Sequence, residues 1–586
     1  MAVWILSVFV GLLAGVAVPA SWWLLQKSGD WIGKMEADTW PMHLVIGLPL
    51  GTATVIVLLM VGFRGFRSAD AFTYFISDLH FQDGRRKGRY SFVHSLSNLI
   101  FVLGQAVVGI EGFCMEALSS VGSWLAQRFR LSTHQVRTLA GCGATASIAA
   151  VLGQPMTAFI FVVELLYGWG TSSFAVGMFA IAAFTAASVS QSLSNGILRT
   201  GLEADAGLSI TLQTESFYLS PFAAICCVVG FSLVCGVLAA FSISVHKKTD
   251  QELHGLFVEK KGVDVAPGPF TFRILLWALL TGVVMLKFPL VLGTGELLLN
   301  EALSQGTLFQ YIAFAFLLRI LMGAVGYSVL GGMGMILPTL IAGCLIGAAA
   351  YSLAPNLLEL SGGTLALLAM GGFFSASFGT PVAATALVFS YSSGLMTDNA
   401  LFLMTAILIN FCSHFLCGRL QSDRLATMGL YRHGIRFRNG MCYNTLSSIQ
   451  VKDAMITYLS PVSYGSSMGE AYRKLMSSKF SVLPVVTEQG KLKGMISLSD
   501  FYGLDTWKKL GEDSQVHSLV GVEELVKAAR VKLLPEMNLE SALEKMSDEE
   551  MAPVCESEGQ YLGLLVKSDL VNLYNKEVVK KAFRRT

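Results

Sequence analysis

Gly109-Ile110-Glu111-Gly112-Phe113 sets one carboxylate between two glycines inside an otherwise apolar stretch. In a bilayer an uncompensated carboxylate costs several kcal/mol. The cost falls if Glu111 occupies the first turn of a helix, where free backbone N–H groups and the positive end of the helix dipole stabilise an anion. A chloride ion is stabilised at the same place. A side chain that competes with a mobile anion for one anion site is a gate, because protonating or displacing it frees the site. The plainer alternative is a carboxylate that caps a helix in a solvated crevice.

Composition decides that a bilayer is involved. Of 586 residues, 53% are hydrophobic and 14% charged, against ~25% charged in soluble domains. A bilayer-crossing helix needs roughly 20 apolar residues, and residues 4–25, 44–63, 136–166, 222–245, 312–324, 336–351, 365–391 and 401–416 form apolar segments. Some run short and others long, so uniform spans describe the chain poorly. The first segment has no basic region before it and no small-residue cleavage site after Trp22 and Trp23, which reads as a retained helix. A net charge of +2 gives no ground for nucleic-acid binding. Basic clusters at Arg85, Arg86, Lys87 and Arg89, at Arg128, Arg130 and Arg137, and at Lys247 and Lys248 predict cytoplasmic loops by the positive-inside rule. The 10 cysteines show no Cys-x-x-Cys pairing and read as small buried side chains rather than metal ligands.

Two composition shifts divide the chain. A polar stretch at 191–216 separates two membrane halves, 1–205 and 206–418; a basic linker, 419–447, follows, and the rest reads as soluble α/β, split into 448–510 and 511–578. The membrane halves echo one another: Gly153-Gln154-Pro155 and Gly379-Thr380-Pro381 each follow a small-residue segment and open an apolar run. Such an echo is what an inverted-repeat transporter shows, and its broken helices need their freed backbone groups buried in protein or lining a cavity. The tail repeats more openly. Pro484-Val485-Val486 precedes Gly494 to Asp500 as Pro553-Val554 precedes Gly563 to Asp569, each behind an amphipathic helix pattern. This resembles a tandem CBS pair over 449–575.

Gly334-Met335-Ile336-Leu337-Pro338 opens a further apolar run; its glycine permits close backbone approach, and its proline at a helix start leaves preceding N–H groups free to point at an anion. In order and spacing these segments resemble the chloride channel (CLC) family. Its first anion motif falls at Arg67-Ser68-Ala69-Asp70-Ala71, its gate motif at Gly109 to Phe113, and its Gly-x-Phe-x-Pro motif at Gly334 to Pro338. Pro155, Phe161 and Glu164 fit the residues after the gate helix, and Pro381 and Phe389 fit their counterparts in the second half. Gly293-Thr294-Gly295 and Arg319 sit where related members carry glycines and a basic residue.

The resemblance implies an all-α polytopic membrane domain, an inverted repeat of broken and tilted helices, followed by the α/β CBS module. It implies a homodimer with one anion pathway per subunit, Glu111 with Gly109, Ile110 and Gly112 as the gate, the Ser68 hydroxyl on a central anion, and the backbone N–H groups of Met335 and Ile336 facing the pathway. It implies a transporter and no enzyme, no required cofactor or metal, a multi-pass membrane location (the cell inner membrane in a bacterium) and a cytoplasmic CBS pair. The pair would offer an adenine nucleotide Asp500 and Asp569 for its ribose and Ser497 near its phosphates; the other reading is a structural clamp. Departures accompany the match. The first motif keeps Ser68 but loses its glycines and proline and gains Asp70, the gate motif has Ile110 and Phe113 for a basic residue and a proline, and no tyrosine lies between Gln421 and Met428, Tyr431 coming further on. Leu165 stands where exchangers commonly carry a second glutamate, which favours a passive channel over proton-coupled exchange. The rival functions are a CBS-regulated cation transporter built on Glu111, Glu116 and Glu164, which lacks the many oxygen ligands of a hard divalent ion, and a membrane-anchored nucleotide sensor, which has no need of Glu111 or of broken helices.

Overall fold

The computed structural model describes residues 2–33, 42–62, 75–76, 78–80, 84–86, 88–168, 171–195, 221–255, 267–303, 307–330, 334–353, 360–392, 400–431, 437–438, 441–442, 449–478, 480–502, 521–546, 549–556 and 558–567. The chain divides into two compact units, 1–441 and 442–585.

The first unit is built from helices. Ala2–Gly33 (α1), Met42–Gly62 (α2) and Gly88–Leu103 (α3) precede a first set of three, Glu111–Arg128 (α4), Thr133–Leu152 (α5) and Pro155–Val162 (α6). Ser173–Asn195 (α7), Pro221–Gly255 (α8), Pro267–Lys287 (α9), Glu296–Leu303 (α10) and Phe309–Leu330 (α11) lead to a second set, Ile336–Leu353 (α12), Gly362–Phe378 (α13) and Pro381–Tyr391 (α14), and Ala400–Leu420 (α15) follows. Among the described residues six helices are long and apolar enough to cross a bilayer: those containing Val3–Leu25, Ser173–Leu193, Ala224–Leu253, Phe309–Val329, Ile336–Leu353 and Ala400–Leu420.

The two sets repeat one plan. In each, a first helix packs on a second, which runs into a break and a short third helix, and the two short helices pack on each other. α13 is buried along its whole length from Thr364 to Phe378, and α5 from Thr138 to Leu152; a helix apolar on every side belongs in a core. The runs 136–166 and 365–391, apolar throughout in sequence, are therefore each two helices. Gly153 (φ 67°) and Gly379 (φ 77°) end α5 and α13 in the left-handed conformation, which costs residues with a Cβ about 1–2 kcal/mol. Gln154 (φ −122°, ψ 87°) and Thr380 (φ −124°, ψ 71°) then turn the chain alike, and Pro155 and Pro381 restart the helix where the missing N–H is no loss. Phe161 of α6 lies 5.7 Å from Phe374 and 5.6 Å from Phe378, ring centre to ring centre.

One residue in each of two basic clusters departs from the solvated loop its charge predicts, while Arg85 and Lys248 are exposed. Arg86 is 7% exposed; its guanidinium pairs with Asp78 (3.2 Å) and with Glu116 of α4 (3.1 Å), and its backbone N–H donates to Ser123 Oγ (3.1 Å). Lys247 lies within α8, which runs on to Gly255, and pairs with Asp423 at 2.7 Å. A buried guanidinium needs such partners to offset its lost hydration.

The second unit is the expected α/β repeat. Val462–Ser463 (β1) pairs in parallel with Val482–Val486 (β2), which pairs antiparallel with Leu492–Ser497 (β3); Met551–Cys555 (β4) pairs antiparallel with Tyr561–Val566 (β5). The registers match: Pro484 faces Met495 and Val485 faces Gly494, as Pro553 faces Leu564 and Val554 faces Gly563, each with an irregularity one residue later. The halves also complete one another crosswise. Ile456 and Leu564 exchange backbone hydrogen bonds of 2.8 and 3.0 Å, and Lys527 and Met495 exchange bonds of 3.0 and 2.8 Å. The repeated glycines make room for this exchange: a Cβ on Gly563 would lie 2.7 Å from the Ile456 oxygen, and one on Gly494 would collide with the Lys527 carbonyl. Gly494→Ala and Gly563→Ala are each expected to destabilise the tail by about 1–3 kcal/mol, the usual cost of overpacking, read as a lowered midpoint of its thermal unfolding transition.

Candidate functional site

Glu111 is the first residue of α4, preceded by Ile110 with φ −70° and ψ −18°. It is 2% exposed. Its Oε1 accepts the backbone N–H of Leu337 at 2.9 Å, in the first turn of α12, where N–H groups have no intrahelical acceptor. Oε2 has no hydrogen-bond partner among the described residues. The carboxylate thus sits at its own helix start and against the start of the corresponding helix in the second set.

Two glycines bring these helix starts together. Gly109 N–H donates to the Gly334 carbonyl at 2.6 Å, and Gly334 has φ +69°. A Cβ on Gly334 would strike the Gly109 backbone, and one on Gly109 would strike the Glu111 carboxylate. Ile110, Gly112, Met335, Ile336 and Pro338 are buried around this contact. Leu337, the donor the structure adds, carries no sequence mark because the group it offers is backbone. Ser68 and Asp70 lie outside the described residues, as does Asp569 of the tail.

A second carboxylate repeats the arrangement. Glu164 lies in a π-helical turn, Val163–Tyr167, that ends α6; its Oε1 accepts from Val382 N–H at 3.2 Å and its Oε2 from Ala383 N–H at 2.9 Å. These are the first-turn donors of α14, which Pro381 opens. Leu165 beside it is buried. Glu116 is held by Arg86 and stands apart from both helix starts.

Arg319 of α11 is 2% exposed and donates to the carbonyls of Val291 (2.8 Å), Gly293 (3.2 Å) and Thr294. It thereby holds the Gly293-Thr294-Gly295 segment, whose Gly293 N–H donates to the Gln105 carbonyl at 3.2 Å. Around the position of the missing tyrosine, Leu425 and Met428 are buried.

In the tail, Asp500 Oδ2 accepts from Ser497 N–H (2.8 Å) and Ser497 Oγ (2.7 Å), and Oδ1 pairs with Lys527. Partial burial pushes its carboxyl up, but the Lys527 and Ser497 hydrogen bonds and the Lys527 charge outweigh that and hold it below the usual Asp range.

Broken helices that meet end-on around carboxylates, Glu111 buried and Glu164 partly buried, define a membrane transport protein of the repeated, broken-helix class. Residues 51–413 match the voltage gated chloride channel family, and residues 451–504 and 522–576 each match the CBS domain. The chain belongs to the voltage gated chloride channel family and carries two CBS domains. The voltage-gated ClC-type chloride channel ClcB of Escherichia coli O139:H28 is 26% identical over 355 residues, which cover 58% of this chain and 78% of that protein. Among solved structures, a slow cyanobacterial Cl-/H+ antiporter has TM-score 0.61 at 16% identity, over 74% of this chain and 98% of its own. A CLC-type fluoride/proton antiporter has TM-score 0.58 at 19% identity, over 73% and 97%. At these identities the likeness shows the fold.

Gly334→Ala is expected to force the two helix starts apart and to lower the thermal midpoint of the full chain in detergent, with a left-handed strain of about 1–2 kcal/mol as the minimum cost. Because its folded carboxyl lies below the ordinary range, Asp500 stabilises the tail above that range, and the contribution is lost as pH falls through the folded value. Lys527→Met is expected to shrink the drop in the tail's thermal midpoint between about pH 6 and about pH 3, which bracket the ordinary Asp value.

Proposed function

We propose that the chain carries chloride or another small anion across the membrane, through one pathway per subunit of a homodimer, with Glu111 as the gate and the CBS pair as a cytoplasmic regulator. One observation carries this reading: a buried carboxylate accepts a backbone N–H from the facing helix start. A carboxylate oxygen on such a donor stands in for an anion. An anion that displaces it inherits N–H donors without a fixed full charge, which bind loosely enough to release. A carboxylate that merely caps its helix in a solvated crevice is disfavoured by the 2% exposure of Glu111.

The rivals account for less. Glu111 and Glu164 both face helix N-termini, where the backbone potential is positive and repels a cation, and Glu116 is taken up by Arg86. An anchor for a nucleotide sensor needs neither broken helices nor a carboxylate between them. Leu165, buried and apolar beside Glu164, supports passive conduction over proton-coupled exchange. In the tail, Ser497 and Asp500 form one side of an adenine-nucleotide site, with Lys527 available to an anionic group once it leaves Asp500.

The test is chloride efflux from liposomes holding the purified protein, with pH recorded alongside and Glu111→Gln in parallel. Efflux without uphill proton movement is expected. A neutral amide holds the Leu337 N–H less firmly than a carboxylate by roughly 1 kcal/mol or more, so the variant is expected to pass chloride at least about fivefold faster. Absence of any anion efflux sinks the reading, and proton movement driven uphill by chloride replaces the channel with an exchanger.

A further inference from the structure

A cavity of about 20 Å³ lies beside the helix start that holds Glu111, lined by Ser242 and His246 of α8, Arg319 of α11, Met335 and Thr339 at α12, and Leu425. That volume takes one water-sized particle. The start of α12 presents the Leu337 N–H to Glu111 and Met335 and Thr339 to the cavity.

Two buried polar atoms of the lining, His246 Nε2 and Arg319 Nε, have no hydrogen-bond partner among the described residues. His246 Nδ1 lies 2.8 Å from the Ser242 carbonyl. A carbonyl only accepts, so Nδ1 carries the proton and Nε2 of the neutral ring is a bare lone pair. Three of the four terminal N–H groups of Arg319 go to the carbonyls of Val291, Gly293 and Thr294, and the unpartnered Nε–H is the donor it can offer the cavity. No carboxylate lies within ion-pair distance of this guanidinium among the described residues.

A neutral His246 therefore sets one acceptor and one donor around the cavity, an arrangement that a water satisfies. A protonated His246 sets two donors and two positive charges there, and the occupant must then accept from both and carry negative charge. We propose that this cavity is a second anion site, which binds a small monovalent anion together with a proton on His246 Nε2. The proposal rests on the reading of the chain as an anion transporter. The proton comes from solvent onto the Nε2 lone pair, no covalent bond of the protein breaks, and the added charges cancel. The linkage is reciprocal: the anion strengthens the proton's binding and the proton the anion's.

The groups facing His246 fit this role. Arg319 supplies the fixed charge, and the Tyr327 ring meets the imidazole edge-on at 6.0 Å. On its own helix Asp250 is buried one turn on, and Lys247 is paired with Asp423. The other lining residues, from α12 and α13 and at Leu425, carry no titratable group. Gly323 of α11 keeps the space open: a Cβ there would lie 3.5 Å from His246 Nε2 and 3.9 Å from Met335 Cε, at ordinary contact distance and inside the room an anion needs.

The experiment titrates the full chain in detergent with bromide in a weakly buffered solution and records proton uptake. A Glu111→Gln background removes the gate carboxylate from the proton count. Roughly one proton per bromide bound is expected by linkage, lost in His246→Gln and in Gly323→Ala, whose methyl fills the cavity without a clash. Crystals of the wild-type chain soaked in bromide are expected to show an anomalous peak between His246 and Arg319 at acid pH that fades at alkaline pH. Uptake unchanged in both variants, or water alone in the cavity at every pH, overturns the proposal. Chloride flux in liposomes is read separately: its absence, with the linked uptake intact, sinks the transport reading and leaves the site standing.

Discussion

The first N–H groups of a helix have no acceptor within it, and inside a bilayer water does not supply one. A helix that begins at membrane depth must find an acceptor elsewhere in the protein. Here α12 and α14 begin in the interior of the first unit, and carboxylates from the other set of helices meet them: Glu111 accepts from Leu337, and Glu164 from Val382 and Ala383. In the proposed function, backbone that the fold leaves in need of an acceptor is what makes the chain receptive to anions. Filling the gap with a permanent partner would complete the structure and remove the site.

The two sets of helices divide the work unequally. Their breaks are alike, with matching dihedral angles at Gly153 and Gly379 and at Gln154 and Thr380. Their contents differ: the first set carries both carboxylates, and the second supplies the N–H groups those carboxylates use. Tyr391 at the end of α14 reaches the other way, donating to the Leu152 carbonyl at 3.0 Å, so an acceptor at the end of α5 is also met from the second set.

Much of this was legible in the chain. Glu111 stands out because a charge between glycines in an apolar run has few structural uses, and the breaks stand out because Gly-Gln-Pro and Gly-Thr-Pro punctuate a helix wherever they fall. The tail announces itself through equal spacing of Pro484 and Asp500 and of Pro553 and Asp569. What stayed hidden depends on backbone or on distant pairing. The Leu337 N–H has no side-chain signature. Arg86 reads as part of a loop cluster until Asp78 and Glu116 are brought to it, and His246 carries no mark of its own beside the basic pair Lys247 and Lys248. α9 carries an apolar run, 274–286, too short to span by itself; Arg273 just before it is buried and donates to the Ser328 carbonyl at 3.3 Å.

The crosswise exchange in the tail bears on how the chain is made. Ile456 stands near the beginning of the second unit and bonds to Leu564, far later in the chain. During synthesis from the N-terminus, β3 waits for Lys527 of the second repeat, and Ile456 waits for β5, the last strand of the tail. Pairing of such sequence separation is slow to form, and the strand edges left waiting are exposed to other nascent chains. A chaperone that shields β3 until Lys527 emerges, and Ile456 until β5 does, would have a defined substrate in this tail, and a chain cut short before Tyr561 would leave Ile456 without its strand and the sheet of the second repeat unfinished.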